Sequence, residues 1–245
     1  MQTFGIGNLY YMLQGLKWTV ALSLIGFVGG GVGGMLIALA RSSGNRLLSF
    51  VAAVFIEFFQ GTPLLMQLFI VYFGMSLLNF EVNAWVAVAI GLTLNSSAFL
   101  GEIWRGGIQA IPRGQAEAAK ALGLRYFSRM RDVVLPQAWR ISLPSTVGFA
   151  VQLIKGTSLA SIVGFTELAR AGQVVANATF QPMLVFGVVG ALYFAICWPL
   201  SELSTRLERR SDRMHRNTPQ KDAGPSTRQP RSALFSIRRD ARPNP

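Results

Sequence analysis

The chain is poor in the residues on which most soluble enzymes depend. Its 245 residues include one cysteine, Cys197, and one histidine, and only 14% of them are charged, whereas soluble domains carry roughly 25% charged residues. A single thiol indicates neither a disulfide framework nor a metal-binding pair nor redox chemistry. The sequence also lacks Gly-x-x-x-x-Gly-Lys-Ser/Thr, so the chain does not hold ATP by that phosphate-binding loop.

Apolar residues are abundant instead. They make up 51% of the chain, and the mean hydropathy is +0.39. Because a hydrocarbon core of about 30 Å needs about 20 apolar helical residues, we predict an all-α polytopic membrane protein with about five transmembrane helices. The first apolar stretch is too long for a cleaved signal sequence, so we keep it as a helix. The predicted spans are residues 18–40, 48–78, 85–103, 141–165 and 183–203.

The basic residues sort the connections between the spans into two classes. Lys and Arg concentrate in the connections after the first and third spans and in the segment after the fifth, whereas the other two connections hold Glu81, Glu167 and a single Arg170. Short basic connections stay in the cytoplasm. We therefore expect residues 1–15 outside the membrane and the carboxyl terminus in the cytoplasm.

The positive charge is concentrated in the carboxyl-terminal tail. From residue 206 onward there are 11 Lys or Arg and 4 Asp or Glu, which is 11 − 4 = +7 of the net +12. The composition of residues 211–245 predicts a disordered cytoplasmic tail rather than a nucleic-acid-binding domain. The alternative is weak attraction to anionic lipids, at about 1 kcal/mol for each basic residue.

Residues 104–140 form the longest cytoplasmic connection and contain GQAEAAKALGL. Pro112 suits the start of a short helix, and Gly123 suits its end because glycine adopts the left-handed conformation without steric penalty. Glu117 and Lys120 are three residues apart and fall side by side on such a helix. The following residues, 125–140, alternate apolar and basic side chains, as in a helix that lies on the membrane surface. Two readings stay open, a solvated loop and a docking helix for a partner protein.

The stretch EAAKALGLRYFSRMRDVVLPQAWRISLPS resembles the EAA loop of ATP-binding cassette (ABC) importer permeases. Three further stretches, GTPLLMQLFIVYFG, LNSSAFLGEIWRGGIQAIPRGQ and KGTSLASIVGFTEL, resemble the branch that imports polar amino acids. The resemblance extends over about residues 16–210, and the tail lies outside it. The residues that carry the EAA resemblance are Glu117, Ala118, Ala119, Gly123, Leu135 and Pro136.

The resemblance implies a type I importer permease in the bacterial inner membrane. It implies three kinds of protein partner: a second permease subunit, identical or related; a dimer of ABC ATPase subunits; and an extracytoplasmic substrate-binding protein. ATP and Mg²⁺ would bind the ATPase, with no cofactor on this chain, which would not itself be an enzyme. The short helix would be the coupling helix, with an ATPase contact formed by Arg113, Glu117, Ala118, Ala119 and Gly123.

Several polar residues lie inside the predicted spans. A charge at the bilayer centre costs roughly 2.5 to 3.5 kcal/mol on insertion scales, so Glu57 and Lys155 should face protein or water. They could bind the ammonium and carboxylate of an amino acid, or neutralise each other. The other polar groups could equally bond one another to hold the bundle together. The predicted substrate path comprises Glu57, Gln60, Thr62, Asn95, Ser96, Gln152, Lys155, Thr157 and Ser158.

Two departures from the family pattern bear on the substrate. Gln60 stands where arginine often precedes Gly-Thr-Pro, and Gly156 stands where an acidic residue or asparagine often follows the lysine. If that acidic position normally meets a substrate amine, its loss argues against a strongly cationic substrate. We therefore expect neutral or acidic polar amino acids.

The first span contains small residues at a spacing of four. Gly26, Gly30, Gly34 and Ala38 form one smooth face, which in lipid allows another helix to approach closely. Pro63 interrupts the second span, because it lacks the N–H that would continue the helical hydrogen bonds. We predict helix packing at the first feature and a flexible gate at the second.

Two other classes of membrane protein compete with the importer. One is an ion-driven secondary transporter, which often shows inverted repeats, and we find no such repeat here. The other is a membrane scaffold that transports nothing, in which the polar residues of the spans would be purely structural.

Overall fold

The computed structural model describes residues 4–216, and the side chains of residues 4–210. Within this part the chain is helical, with short turns between the elements and no strand. The α-helices are α1 (Ile6–Arg41), α2 (Arg46–Gly61), α3 (Leu64–Leu77), α4 (Ala84–Gln109), α5 (Arg113–Ala121), α6 (Tyr126–Ser128), α7 (Leu135–Gly156), α8 (Leu168–Thr179) and α9 (Pro182–Arg216). A π-helical turn, Arg129–Val134, precedes α7, and a 3₁₀ turn, Thr157–Ser161, follows it.

The most extensive helix contact joins α1 to α4. Gly26, Gly30, Gly34 and Ala38 are all buried on α1, and the glycines face α4 so closely that a side chain would not fit. A Cβ atom added to Gly30 would lie 2.2 Å from the Cβ of Ser96. This close backbone approach lets two apolar helices gain van der Waals contact without help from a hydrophobic effect.

The span predicted over residues 48–78 is not one continuous helix. It is divided into α2 and α3 at Thr62 and Pro63, and the two axes are bent by 107°. Pro63 supplies the cause, because its nitrogen carries no hydrogen and its ring excludes the preceding helical turn. The sequence located the interruption but not the size of the bend.

The predicted cytoplasmic connection is a helical excursion between α4 and α7. The helix predicted to lie on the membrane over residues 125–140 is instead divided into three pieces: α6, the π turn, and the first residues of α7, where Pro136 lies in the first turn. Proline is tolerated there because its N–H has no partner within the helix. Tyr126 and Phe127 are exposed on this excursion.

The fourth span and the connection after it also differ from the prediction. The helix α7 ends at Gly156 rather than continuing to residue 165, and the chain turns at Gly164, which has a φ of +87°. The connection then forms a further helix, α8, which packs on α1 and α9. A hydrophobic cluster of Met12, Leu168 and Val185 joins these three helices.

Both ends of the predicted permease domain are helical beyond their predicted limits. The helix α1 begins at Ile6, inside the segment predicted as extracytoplasmic, and α9 continues to Arg216. The predicted disordered tail therefore contributes six residues to α9, and its remainder, residues 217–245, lies outside the described residues. The side chain of His215 is also outside them.

Among the described residues, α1, α4 and α9 are each long and apolar enough to cross a membrane, and α2 with α3 would form a fourth, broken span. The fourth predicted span corresponds to α7, which has 22 residues. It is more polar than the others, since it contains Arg140, Gln152 and Lys155. One face of α7 packs against α4 and α9, whereas Arg140, Gln152 and Lys155 are exposed in the single chain.

Candidate functional site: the capped helix and the broken span

The helix α5 has the caps that its sequence predicts. Pro112 precedes its first residue, and Gly123 has a φ of +79°. The N–H of Gly123 donates to the carbonyl oxygen of Lys120 at 3.0 Å, and the N–H of Leu124 donates to that of Ala119 at 3.1 Å. These two bonds form a Schellman motif, which satisfies the last carbonyls of the helix and stops it.

Most of α5 is exposed. Ala119 is the one buried residue on it, with 4% exposure. Arg113, Glu117 and Ala118 are exposed, and the neighbouring Leu122 is 82% exposed. In the described part of the chain Glu117 and Lys120 do not form the predicted pair, since neither belongs to an ion pair within 4.0 Å. The result is a small, nearly bare helical surface that ends in an uncovered leucine.

A small apolar cluster fixes the turn before this helix to the transmembrane bundle. Ile111, at the start of the turn before α5, packs with Val134 of the π turn and Ala138 of α7. Met130 of the π turn and Ile108 of α4 contact the same cluster. The turn that leads into α5 is therefore packed against both α4 and α7.

The break between α2 and α3 is satisfied by two side chains. Pro63 has no N–H to donate to the carbonyl of Phe59, four residues earlier, and the side-chain amide of Gln67 donates to that oxygen instead, at 2.7 Å. The same nitrogen lies 3.0 Å from the carbonyl oxygen of Thr62. The Thr62 hydroxyl in turn donates to the carbonyl of Phe58 at 2.8 Å. Three carbonyl oxygens at the bend, those of Phe58, Phe59 and Thr62, are thus paired within the protein, as a break inside a membrane favours.

Gln67 also connects the break to α4. It is only 2% exposed, and its side-chain oxygen accepts a hydrogen bond of 2.9 Å from the Nδ2 of Asn95. Asn95 was predicted from the sequence as a substrate-path residue, whereas Gln67 was not. The available signal was its position four residues after Pro63, where a side-chain amide can reach the carbonyl that proline leaves unpaired.

Four of the predicted path residues point away from the core of the chain. Glu57 and Gln60 are exposed on α2, and Gln152 and Lys155 are exposed on α7. Glu57 and Lys155 do not form an ion pair in the described chain, so mutual neutralisation is not observed. In a membrane these groups need cover by water or by another protein surface.

Of the other predicted path residues, Thr157 and Ser158 bond to nearby backbone carbonyls, whereas Ser96 is buried without a hydrogen-bond partner in the described chain. Ser96 is fully buried between α1 and α4, and its hydroxyl has no partner among the described residues. Thr157 is fully buried and donates to the carbonyl of Ile154 at 2.7 Å. Ser158 donates to the carbonyl of Lys155 at 2.7 Å. Ser96 and Thr157 are therefore closed to a substrate in this conformation.

The end of α7 lies against the beginning of α3. A Cβ atom added to Gly156 would lie 3.1 Å from Cδ2 of Leu64, so a larger residue after Lys155 would press on the broken span. Lys155, the residue before Gly156, lines a groove of about 330 Å³ between α7 and α9, together with Tyr193, Cys197 and Trp198. The lysine is therefore located between the break and an open groove.

A buried carboxyl group lies at the junction of α1, α8 and α9. Glu167 is fully buried and caps α8 by accepting from the N–H groups of Ala169 and Arg170, at 2.8 and 2.9 Å. The Tyr193 hydroxyl donates to it at 2.9 Å, and the Thr19 hydroxyl lies 3.4 Å away. Burial raises the pKa of the Glu167 carboxyl above its usual range, although these hydrogen bonds oppose the shift. From the sequence alone, Glu167 is only an acidic residue of a connection between spans.

Together these features define a helical membrane transport subunit: a bundle with a broken, internally satisfied span, and a capped helix outside it. A family model described as "Binding-protein-dependent transport system inner membrane component" matches residues 30–213. The chain belongs to this family, and it is a transmembrane subunit rather than an enzyme. It is an inner-membrane component of a system that works with ATPase and binding-protein partners.

Relatives and a solved structure agree with the family. The chain is 38% identical over 187 residues to the probable amino-acid ABC transporter permease protein YckA of Bacillus subtilis, covering 76% of this chain and 83% of that protein. It is 36% identical over 201 residues to the glutamine transport system permease protein GlnP of Escherichia coli, covering 81% and 92%. A crystal structure of an amino acid ABC transporter with histidines matches with a TM-score of 0.77 and 32% identity, covering 86% of this chain and all of that one.

Proposed function

We propose that this chain forms half of the transmembrane pathway of an ABC importer for polar amino acids, and that it is driven through α5. The observation that carries the proposal is the geometry of α5: an exposed, alanine-rich helix, closed by Gly123 and preceded by a turn that one apolar cluster holds against α4 and α7. A helix of this kind fits a cleft in another protein and moves with it as a rigid body. Arg113, Glu117 and Ala118 form the contact surface.

The orientation follows from the same surface. With α5 facing the ATPase, the basic connections after α1 and α4 lie in the cytoplasm, as positive charge in short connections favours. The start of α1 and the connection that contains α8 then lie on the outer side, where the binding protein docks. The carboxyl terminus of the chain lies in the cytoplasm.

The exposed polar groups of α2 and α7 are the argument for a second permease subunit that covers them. Glu57, Gln60, Gln152 and Lys155 are uncovered in the single chain, and lipid contact would cost roughly 2.5 to 3.5 kcal/mol for each charge. A second subunit, identical or related, encloses them with water in a shared path.

We propose a neutral or acidic polar amino acid as the substrate. Lys155, exposed beside the broken span, supplies a cation for a carboxylate, and Glu57 supplies an anion for the ammonium. Gly156 places no acidic group next to the lysine, and its contact with Leu64 leaves little room for one. The name of the relative GlnP, a glutamine transport system permease, is consistent with this class.

ATP hydrolysis takes place on the partner subunits in this proposal. The chain has no phosphate-binding loop sequence, and its role is to receive motion rather than to generate it. ATP and Mg²⁺ bind the ATPase dimer, and this chain needs no cofactor of its own.

Cysteine cross-linking tests the contact directly. With Cys197 replaced by serine, the sequence contains no other cysteine, so one introduced thiol is unambiguous. We expect Ala118→Cys, which is exposed, to cross-link to the ATPase in native membranes, and the buried Ala119→Cys to give at most a trace as the matched control. Absence of any ATPase adduct from Ala118→Cys in a complex that transports would refute the docking surface.

Uptake into vesicles separates this function from its alternatives. An importer takes up substrate only with ATP, the ATPase and the binding protein present. A secondary carrier would instead respond to ionophores, and a scaffold would show no uptake under either condition.

A further inference from the structure

The hydrogen bond between Gln67 and Asn95 has a function beyond holding the fold. We propose that this pair is the mechanical link through which motion of α4 reaches the broken span, so that Gln67 and Asn95 act as positioning residues for the gate. The inference rests on the proposed function, because it assumes that α5 receives the motion of an ATPase.

The two sides of the link have different mechanical characters. The helix α4 is continuous over 26 residues, from Ala84 to Gln109, and most of its central length is buried. Its last residue lies only a few residues before α5, so α4 is the direct continuation of the proposed driving element. The break at Thr62 and Pro63, unlike α4, has no continuous helical backbone, so its shape depends on the side chains around it.

Gln67 is what gives the break its shape. Its amide nitrogen replaces the missing N–H of Pro63 at the carbonyl of Phe59 and also lies within hydrogen-bond distance of the carbonyl and hydroxyl oxygens of Thr62. One side chain therefore holds the end of α2 at a fixed angle to α3. A shift of Gln67 changes that angle, because these oxygens have no backbone partner across the bend.

Asn95 is the contact by which α4 holds Gln67. The Asn95 amide donates at 2.9 Å to the one Gln67 atom that the break does not use, its side-chain oxygen. Asn95 is itself 7% exposed, so water does not compete freely for the bond. A hydrogen bond between two buried side chains is directional, so this bond fixes the position of Gln67 relative to α4 more narrowly than apolar contact alone.

The position of the break explains what the link controls. Leu64, immediately after it, contacts Gly156 at the end of α7, and Gln60, immediately before it, is exposed. Changing the angle between α2 and α3 therefore moves Gln60 and Glu57 relative to Lys155, the residues proposed to line the path. The link thus converts displacement of α4 into opening or closing of the polar path.

The first experiment measures uptake per ATP hydrolysed in proteoliposomes that contain the whole complex. Asn95→Leu removes the link but leaves Gln67 free to satisfy the break. We expect uptake per ATP to fall about fivefold, the factor to which a net hydrogen bond of about 1 kcal/mol converts. Ser97→Ala is the matched control. The Ser97 hydroxyl is buried two residues away on α4, and among the described residues it bonds only to the carbonyl of Thr93. The uptake per ATP of this variant should match that of the wild type.

The double variant Gln67→Leu/Asn95→Leu tests whether the two residues act as a pair. Residues in one link give non-additive effects, so we expect the double variant to be no worse than the more affected single variant. If the losses of the two single variants multiplied in the double variant, or if Asn95→Leu kept the wild-type uptake per ATP, the link would be overturned.

The second experiment observes the motion in a complex whose pathway residues are intact. Spin labels replace exposed Ile70 on α3 and Ile90 on α4 in the Cys197→Ser background. We expect their distance to be the same in the nucleotide-free and ATP-trapped states, and to change on trapping once Asn95→Leu is added. A wild-type distance that changes on trapping would overturn the link even if Asn95→Leu failed to fold. Absence of ATP-dependent uptake by the wild-type complex would instead refute the proposed function, and the link with it.

Discussion

Gly30 is the residue at which a single added methyl group has the clearest consequence. The helices α1 and α4 approach so closely there that a Cβ atom would lie 2.2 Å from the Cβ of Ser96 and 3.0 Å from its backbone carbonyl carbon. Both atoms belong to Ser96, in the central part of α4, so the clash is relieved only if the two helices separate.

We expect Gly30→Ala to lower the thermal stability of the purified permease. Overpacking in a tight core typically costs about 1 to 3 kcal/mol, which exceeds the helix-propensity gain of about 1 kcal/mol from glycine to alanine. The melting temperature in detergent measures the effect. Gly106→Ala on α4 is the control, because nothing lies within 4 Å of its added Cβ, and its melting temperature should hold or rise. Equal melting temperatures for Gly30→Ala and the wild type would contradict the observed packing.

At the scale of the element, α5 shows how a helix of nine residues can be a defined mechanical part. Isolated helices of this length are unstable in water. The Schellman motif at Gly123 and the cluster around Ile111 fix it instead, so its stability comes from its ends and its base rather than from its alanine-rich middle.

We expect Gly123→Leu to uncouple ATP hydrolysis from uptake at equal expression. A leucine at a φ of +79° costs about 1 to 2 kcal/mol in backbone strain, and it adds bulk at the edge of the exposed surface. Gly123→Asn separates the two effects, since asparagine tolerates the left-handed conformation better than other residues. We expect Gly123→Asn to keep more uptake per ATP than Gly123→Leu. Normal coupling in Gly123→Leu would remove the basis for placing the ATPase contact here.

At the scale of the whole molecule, Glu167 joins three helices that are far apart in the sequence. Its carboxylate caps α8, accepts from Tyr193 on α9 and lies beside Thr19 on α1. Nearby, a Cβ atom added to Gly15 would lie 2.8 Å from the Cβ of Ala171. This junction joins α1, α8 and α9 around one titratable group.

We expect the stability of the protein to fall at this junction as the pH rises. Because burial raises the pKa of Glu167 in the folded protein above its ordinary value of 4.5, the folded state binds the proton more tightly than the unfolded state. The stabilisation is complete below that ordinary value and is lost as the pH rises through the raised one. Tyr193 donates to the carboxyl and is the other titratable side chain bonded to it in the described residues.

Melting curves of two variants, measured from pH 4 upward, isolate the contribution of Glu167 to the pH dependence of stability. Glu167→Gln should show a weaker fall in melting temperature with rising pH than the wild type, whereas Glu81→Gln, at an exposed loop residue, should follow the wild type. Parallel curves for Glu167→Gln and the wild type would show that this group does not set the pH dependence.

The sequence by itself determined the local features of this protein. Apolar stretches made a membrane bundle, Pro112 and Gly123 set the limits of α5, Pro63 marked the break, and the EAA resemblance identified the family. Each depends on short-range physics: hydrophobic length, a missing N–H, or a φ that only glycine adopts readily. These causes act within a few residues, so they can be recognised in the sequence without knowledge of the fold.

Only the tertiary structure decided which polar groups meet. It joined Gln67 to Asn95, 28 positions apart, and Glu167 to Thr19, 148 apart, and within the described residues it formed no ion pair between Glu57 and Lys155. It also bent the second span by 107° and formed α8 in a predicted connection. The physical reason is that a buried polar group bonds whatever the helix packing brings within about 3 Å, and that packing depends on the close approach of helices distant in sequence.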